Sequence, residues 1–306
     1  RSREFCNLTE CVIRGWDDSK SLKKKVRLAT ILGTWQSTLT NFKYLTGEWK
    51  RNCDEERLLG VSLTGIMDNG ITNGGAGGLD ERLTELRNET VKTNQIWAEK
   101  LGIPNSAAIT CVKPSGTVSQ LVDSASGIHA RHNPYYIRTV RGDNKDPITK
   151  FMKAEGFPSE PDVTKPNHTT VFSFPMASPE GAVCRKDMTA LEQLELWKVY
   201  AQNWCEHKPS VTISVKEDEW VDTASWVYEN FDEISGISFL PFSDHTYKQA
   251  PYQDCSKEEY EEMATKMPKN VDWSKLSEYE QKDFTVASQE LACSAGQCEV
   301  VDLPAS

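Results

Sequence analysis

No apolar run in this sequence approaches the roughly 18 residues needed to span a membrane as a helix, so no membrane partner is expected. The start, RSREFCNLTECVI, has neither the apolar core of a signal peptide nor an initiator Met, and it reads as a cytoplasmic protein cut at its front. Basic residues are in deficit: 35 Lys and Arg stand against 45 Asp and Glu, and the net charge of −10 is spread along the chain. Such a balance argues against binding to a nucleic-acid polymer or an anionic membrane, and leaves a nucleotide only in a local pocket. Cysteine is sparse. Nine in 306 residues is an odd count, far below the density of a secreted disulfide scaffold, so most are expected to be reduced. One close pair stands among small residues, Cys293-Ser-Ala-Gly-Gln-Cys298, and a zinc knuckle would need a second pair at matching spacing. His129, His132, His168, His207 and His245 share no metal-ligand spacing, so each reads as a hydrogen-bonded structural imidazole and no protein metal site is expected. Internal repeats and low-complexity segments are also missing.

The composition that remains, 38% hydrophobic and 26% charged, is that of a globular protein able to bury one large core or two ordinary ones. Residues 107–131, AAITCVKPSGTVSQLVDSASGIHAR, organise the chain. Ile109, Cys111 and Val112 read as a buried strand, and Pro114 and Gly116 force a tight turn whose small residues let a ligand approach the backbone. Ser115, Thr117 and Ser119 supply hydroxyls, and the amides of Gly116, Thr117, Val118 and Ser119 are the donors left over at a helix start, where an anion is favoured. A capped strand-to-helix turn with no ligand fits the same local residues, since Ser and Thr are ordinary caps.

Around this stretch, strand and helix patterns alternate. Strands are expected over 5–13, 57–67, 135–141, 168–174, 210–215 and 236–240. Helices are expected from Asp17 or Ser19 to about residue 44, and over 79–101, 146–155, 188–206, 217–231, 257–266 and 273–282. Gly102 and Pro104 stop the helix over 79–101. That alternation predicts an α/β protein with a mostly parallel sheet and function in loops after the strands. The tryptophans in helices read as core, and Cys111 as a small buried apolar residue. Residues 283–306 hold no periodicity and read as a mobile tail.

FCNLTEC, RLLGVSLTGIMD, KPSGTVSQLVDSASGIH and ELACSAGQC, in that order, resemble the C-terminal part of ribonucleotide reductases. The resemblance is to the monomeric, adenosylcobalamin-dependent (class II) ribonucleoside-triphosphate reductases. It extends through WCEHKPSVTISVKEDEW, YENFDEISGISFLPFSDHTYKQAPY and WSKLSEYEQKD, and so over nearly the whole sequence. It implies the C-terminal half of a ten-stranded α/β barrel with a flexible tail: 1–250 as half-barrel with the substrate-phosphate loop, 251–284 as a helical cobalamin-side segment, and 285–306 as a mobile redox-active tail.

By the same resemblance, Cys6 matches the active-site cysteine that delivers two electrons to the substrate with a partner in the N-terminal half and becomes a disulfide. Ser115, Gly116, Thr117, Val118 and Ser119 match the loop that holds the substrate's phosphates. Cys293 and Cys298 match the terminal pair that re-reduces the active site by thiol–disulfide exchange and is restored by thioredoxin or a similar dithiol protein. An ordinary thiol, only a few per cent ionised near pH 7, exchanges well when it is accessible and approaches repeatedly. A tail of about 10 flexible residues reaches roughly 17 to 19 Å on average and about 35 Å extended. The cofactor implied is adenosylcobalamin, which cleaves homolytically to make a thiyl radical, with contacts in segments near Phe174, His207, Tyr247 and Tyr252. The reaction implied is reduction of ribonucleoside triphosphates to 2′-deoxyribonucleoside triphosphates, for DNA replication.

The radical-bearing cysteine of an Asn-Pro-Cys-x-Glu loop, the partner of Cys6 and the allosteric effector site are expected upstream. The chain is therefore expected to need a missing N-terminal half and to be inactive alone. A di-iron-partnered ribonucleoside-diphosphate reductase would carry an adjacent Tyr pair shortly before the terminal cysteines. Tyr135 and Tyr136 lie elsewhere, and the matching place reads SFLPFSDHTY, which favours cobalamin. A non-catalytic thiol-exchange or assembly module is the remaining alternative.

Overall fold

The computed structural model describes residues 1–242 and 248–280. Strand β1 (Asn7–Val12) leads through an Asp18 cap into helix α1 (Ser19–Gln36); the Asp18 carboxylate accepts the Ser21 amide while the Ser21 hydroxyl receives the Asp18 amide. The apolar stripe of α1 buries Leu22, Val26 and Ala29. The helix stops at Gln36, short of the expected residue 44. The Ser37 amide and hydroxyl turn back to Gly33 and Thr34, and the Arg57 guanidinium donates to the Ser37 carbonyl, so this turn is closed by side chains that compete with helix continuation. Helix α2 (Gly47–Glu56) follows; its composition of mostly charged residues hid it from periodicity.

Strand β2 (Leu59–Thr64) is buried along its whole length. Helix α3 (Leu79–Leu101) ends where expected, with Gly102 in the left-handed conformation at φ 65°. Strand β3 (Thr110–Cys111) and the short helix α4 (Val118–Leu121) frame the organising loop. Next come β4 (Tyr135–Asp143), α5 (Pro147–Ala154), β5 (Ser159–Pro161) and β6 (Thr169–Ala177). Helix α6 (Ala190–Asn203), β7 (Val211–Val215), α7 (Trp220–Glu229) and β8 (Ile237–Pro241) follow, then β9 (Tyr252–Asp254), α8 (Lys257–Lys266) and α9 (Leu276–Tyr279).

Packing divides the described residues into two units: residues 1–131 with 179–242, and 132–178 with 248–280. In the first, β1, β2 and β3 form a parallel sheet in that order, with Asn7 opposite Leu59 and Ser62 opposite Cys111, and β7 pairs parallel with β8. The approach to β7 is tied to β3 by the amides of Glu206 and His207 on the Thr110 carbonyl and of Ser210 on the Val112 carbonyl. Trp197 and Tyr200 of α6, with Trp204 at its C-terminal cap, fill the core. Their polar ends are satisfied by the carbonyls of Pro209, Thr72 and Cys111.

The second unit departs from the parallel expectation. Its strands run antiparallel in the order β5, β6, β4, β9. Alternating strand and helix patterns give element order but not direction, and antiparallel pairs also accept a helix between them. Among the described residues no helix is long and apolar enough to cross a membrane.

Candidate active site

The two faces of the three-stranded sheet differ in chemistry. Leu59, Val61 and Leu63 of β2 point into the core, where a side chain at Gly33 of α1 would lie 3.6 Å from Leu59 and Thr9. The residues between them face the other way. That opposite face carries Leu8 and Glu10 from β1, Gly60 and Ser62 from β2 and Cys111 from β3, with Lys113 two residues further on.

Cys6, just before β1, is an exposed residue whose sulfur folds down onto this face. A Cβ built on Gly60 would overlap Leu8, lie 2.9 Å from the Cys6 sulfur and lie 3.4 Å from the Cys111 sulfur. Glycine at position 60 therefore makes the space in which the two sulfurs sit. The Nε2 of His207 lies 3.9 Å from the Cys6 Sγ. Partial desolvation raises the Cys6 thiol above its ordinary value while the Lys113 ammonium pulls it down; burial pushes Cys111 up to about 12.

The loop after β3 is anchored from both sides. The Lys113 amide donates to the Ser62 hydroxyl at 3.0 Å and the Ser115 amide to the Ser126 hydroxyl at 2.9 Å. The Ser115 hydroxyl donates to Glu10 Oε2 at 3.0 Å. Burial raises the Glu10 carboxyl above the usual range, against the lowering effect of this hydrogen bond. The Ser119 amide donates to Ser115 Oγ at 3.1 Å and its hydroxyl to the Ser115 carbonyl. Two of the three expected hydroxyls, and the Ser119 amide, are thus used inside the loop. Among the described residues the amides of Gly116, Thr117 and Val118 donate to no backbone acceptor, and the Thr117 side chain is exposed. Three open amides and one hydroxyl at a small-residue turn are suited to an anion.

A second loop, 123–131, buttresses the first. Asp68 accepts Arg131 through two nitrogens at 2.8 and 2.9 Å, both side chains being buried, and takes the Ala125 amide at 2.8 Å. Gly127 sits at φ 55°, and a Cβ there would lie 2.6 Å from the Lys113 carbonyl, so only glycine lets the two loops touch. His129 is structural, as its sequence setting implied. Its Nδ1 donates to the Ser126 carbonyl at 2.9 Å and its Nε2 accepts the Thr212 amide at 3.0 Å, which fixes the neutral tautomer. Burial lowers its pKa.

No family model matches the sequence, but three curated proteins and one solved structure resemble it. The adenosylcobalamin-dependent ribonucleoside-triphosphate reductase of Euglena gracilis is 28% identical over 278 residues, 89% of this chain and 37% of that protein. That of Lactobacillus leichmannii is 26% identical over 276 residues, 80% of this chain and 37% of its own length. The chain is related to these reductases. A probable reductase of the same kind from Dictyostelium discoideum is 28% identical over 295 residues, 90% of this chain and 36% of its own length. The crystal structure of a B-12 dependent (class II) ribonucleotide reductase superposes with a TM-score of 0.76 at 23% identity, over 92% of this chain and 42% of that one, which establishes a shared fold. The chain spans little more than a third of the length of the curated reductases it matches.

Of the positions named from sequence, Cys6 and Ser115 lie on the same sheet, and His207, expected near the cofactor, stands beside Cys6. In the other unit Phe174 packs on Phe157, and Tyr252 stacks on His132 under the Arg138 guanidinium. Tyr247, Cys293 and Cys298 lie outside the described residues. Sequence reasoning missed Glu10 and Lys113; Gly60 does stand where its strand pattern implied a close approach, against Leu8 and the two sulfurs. The available signal was a carboxylate in the alternating run FCNLTEC, on the same side of the strand as Leu8. Among the described residues no group of three or more His, Cys, Asp or Glu is arranged to hold a metal.

Proposed function

We propose that this chain is the downstream part of an adenosylcobalamin-dependent ribonucleoside-triphosphate reductase. The observation that carries the reading is the placement of the Cys6 thiol and the Ser115 loop on one face of the sheet, in a chain related to such reductases over most of its length. The amides of Gly116, Thr117 and Val118 and the Thr117 hydroxyl receive the substrate's phosphates, while Ser115 and Ser119 hold the loop in shape. Cys6 is one of two thiols that together deliver two electrons to the ribose and close as a disulfide. Residues 285–306 act as the arm on which Cys293 and Cys298 reopen that disulfide, and thioredoxin or a similar dithiol protein restores them.

Adenosylcobalamin, when bound to the complete enzyme, supplies the homolytic cleavage that starts the radical chemistry. The rings expected near it already have protein partners, Phe174 with Phe157 and Tyr252 with His132 and Arg138. No step assigned to this chain runs through the cofactor.

The test is deoxynucleotide formed per enzyme, measured by rapid quench in the pre-reduced full-length enzyme and then at steady state. Cys6→Ser removes a reductant from the site, so the first turnover fails whatever thiol is added. Replacing both Cys293 and Cys298 by Ser spares the first turnover and abolishes recycling by thioredoxin, while dithiothreitol restores part of the rate by reaching the Cys6 disulfide directly. Full first turnover by Cys6→Ser would falsify the reading.

A further inference from the structure

A thiol that trades disulfides needs a place for its proton, because the thiolate is the nucleophile and an ordinary thiol is mostly protonated at neutral pH. Three segments bring titratable groups to the Cys6 sulfur: Cys111 from β3, Lys113 from the loop after it, and His207 from the turn after α6. Cys111 is a buried neutral thiol and Lys113 is a cation, which steadies a thiolate by its charge but has no lone pair to offer. His207 offers a ring nitrogen to the sulfur at 3.9 Å, and its amide is fixed to the Thr110 carbonyl at 3.0 Å, so the imidazole is carried by the sheet itself.

We propose that His207 is the proton acceptor and donor for Cys6 in thiol–disulfide exchange. Nε2 takes the S–H proton, and the sulfur's electron pair attacks one sulfur of an incoming disulfide. That S–S bond breaks, and the departing sulfur leaves with the bonding pair and takes a proton from the imidazolium. One disulfide is consumed and one is formed, with no net oxidant. In the reductive direction the imidazolium protonates Cys6 as an external thiolate displaces it. The role deepens the reductase reading and rests on it only for the identity of the disulfide; the activation belongs to residues of this chain. The bare backbone of Gly60 keeps the sulfur within reach of the ring.

The reduced 306-residue chain, treated with limiting iodoacetamide, reports this directly. Sulfur displaces iodide, and peptide mapping gives the rate at Cys6 from about pH 6 to about pH 10, around ordinary thiol and imidazole values. Cys255, half-buried and in the other unit, is the internal reference. His207→Gln slows labelling of Cys6 about tenfold or more near neutral pH and removes the rate that runs below the thiol's own titration, leaving Cys255 unchanged. Lys113→Met moves the thiol's rise to higher pH but keeps the low-pH part. His207→Gln with the parent's rate and profile overturns the proposal. If that variant misfolds, shown by labelling of buried Cys111, the parent's profile decides: a single rise at high pH with no earlier part also overturns it. Failure here leaves the reductase reading standing, since that reading depends on the first turnover of Cys6→Ser.

Discussion

Glu10 meets Ser115 at 3.0 Å beneath the loop proposed to hold phosphates, so a carboxylate already stands close to where an anion would bind. The arrangement is tolerable because Ser115 turns its hydroxyl toward Glu10, while the amides of Gly116, Thr117 and Val118, which have no backbone acceptor, are left to the proposed ligand. A second carboxylate on the outer side has no such relief. Gly116→Asp in the full-length enzyme is therefore expected to weaken triphosphate binding far more than Gly116→Ala. Two like charges about 4 Å apart repel by about 1 to 4 kcal/mol between bulk water and a protein surface, enough for about fivefold or more in affinity. Equilibrium titration with nucleoside triphosphate checks this, and equal losses in the two variants would mean a merely structural turn.

Among the elements, those bounded by strong local chemistry were legible in the sequence. The helix over 79–101 is stopped by Gly102, and that over 257–266 is started by Ser256, whose hydroxyl accepts the Glu259 amide. Where side chains far apart in sequence close a turn, as Arg57 does on Ser37, local periodicity overran the end. The antiparallel sheet around β4 and β6 was illegible because strand direction is set by tertiary pairing. The site divides in the same way. A thiol in FCNL and a small-residue loop in KPSGTVS are visible as strings, but the meeting of Cys6 with Gly60, Cys111 and His207 joins four segments of the chain.

His129 belongs to this level, since it ties the 123–131 loop to β7 through the Thr212 amide. Protonating Nε2 would break that bond, and burial also disfavours the cation. Its folded pKa lies below the unfolded value of about 6.5, so its contribution to stability is complete above that pH and is lost as pH falls through the folded value. Urea denaturation of the parent is expected to weaken from about pH 7 downward by more than that of His129→Gln, which has no imidazole to charge. Parallel pH profiles for the two proteins would remove His129 from the balance.

At the scale of the whole molecule, the first unit leaves apolar surface and strand edge uncovered. Among the described residues β1 pairs with β2 alone, so its outer edge has no strand partner, only the Val12 carbonyl there accepting the Lys25 ammonium, and Leu8 is 52% exposed. Phe5 beside it and Leu121 at the end of α4 are also exposed. An unpaired edge next to apolar side chains pairs readily with another chain, and natural proteins ordinarily cover or charge such an edge. In the proposed full-length enzyme the upstream half would cover it, since the related reductases are nearly three times as long as the matched part. The 306-residue chain by itself is therefore expected to bind a dye specific for exposed apolar surface and to self-associate as its concentration rises. Replacing Leu8 by Lys on the edge strand should reduce both without unfolding the unit, because Leu8 lies outside the buried core. Light scattering and dye fluorescence across a concentration series make the check. A monodisperse monomer that binds no dye and unfolds cooperatively at high concentration would show this face to be finished as it stands, and the proposed upstream partner would have to pack elsewhere.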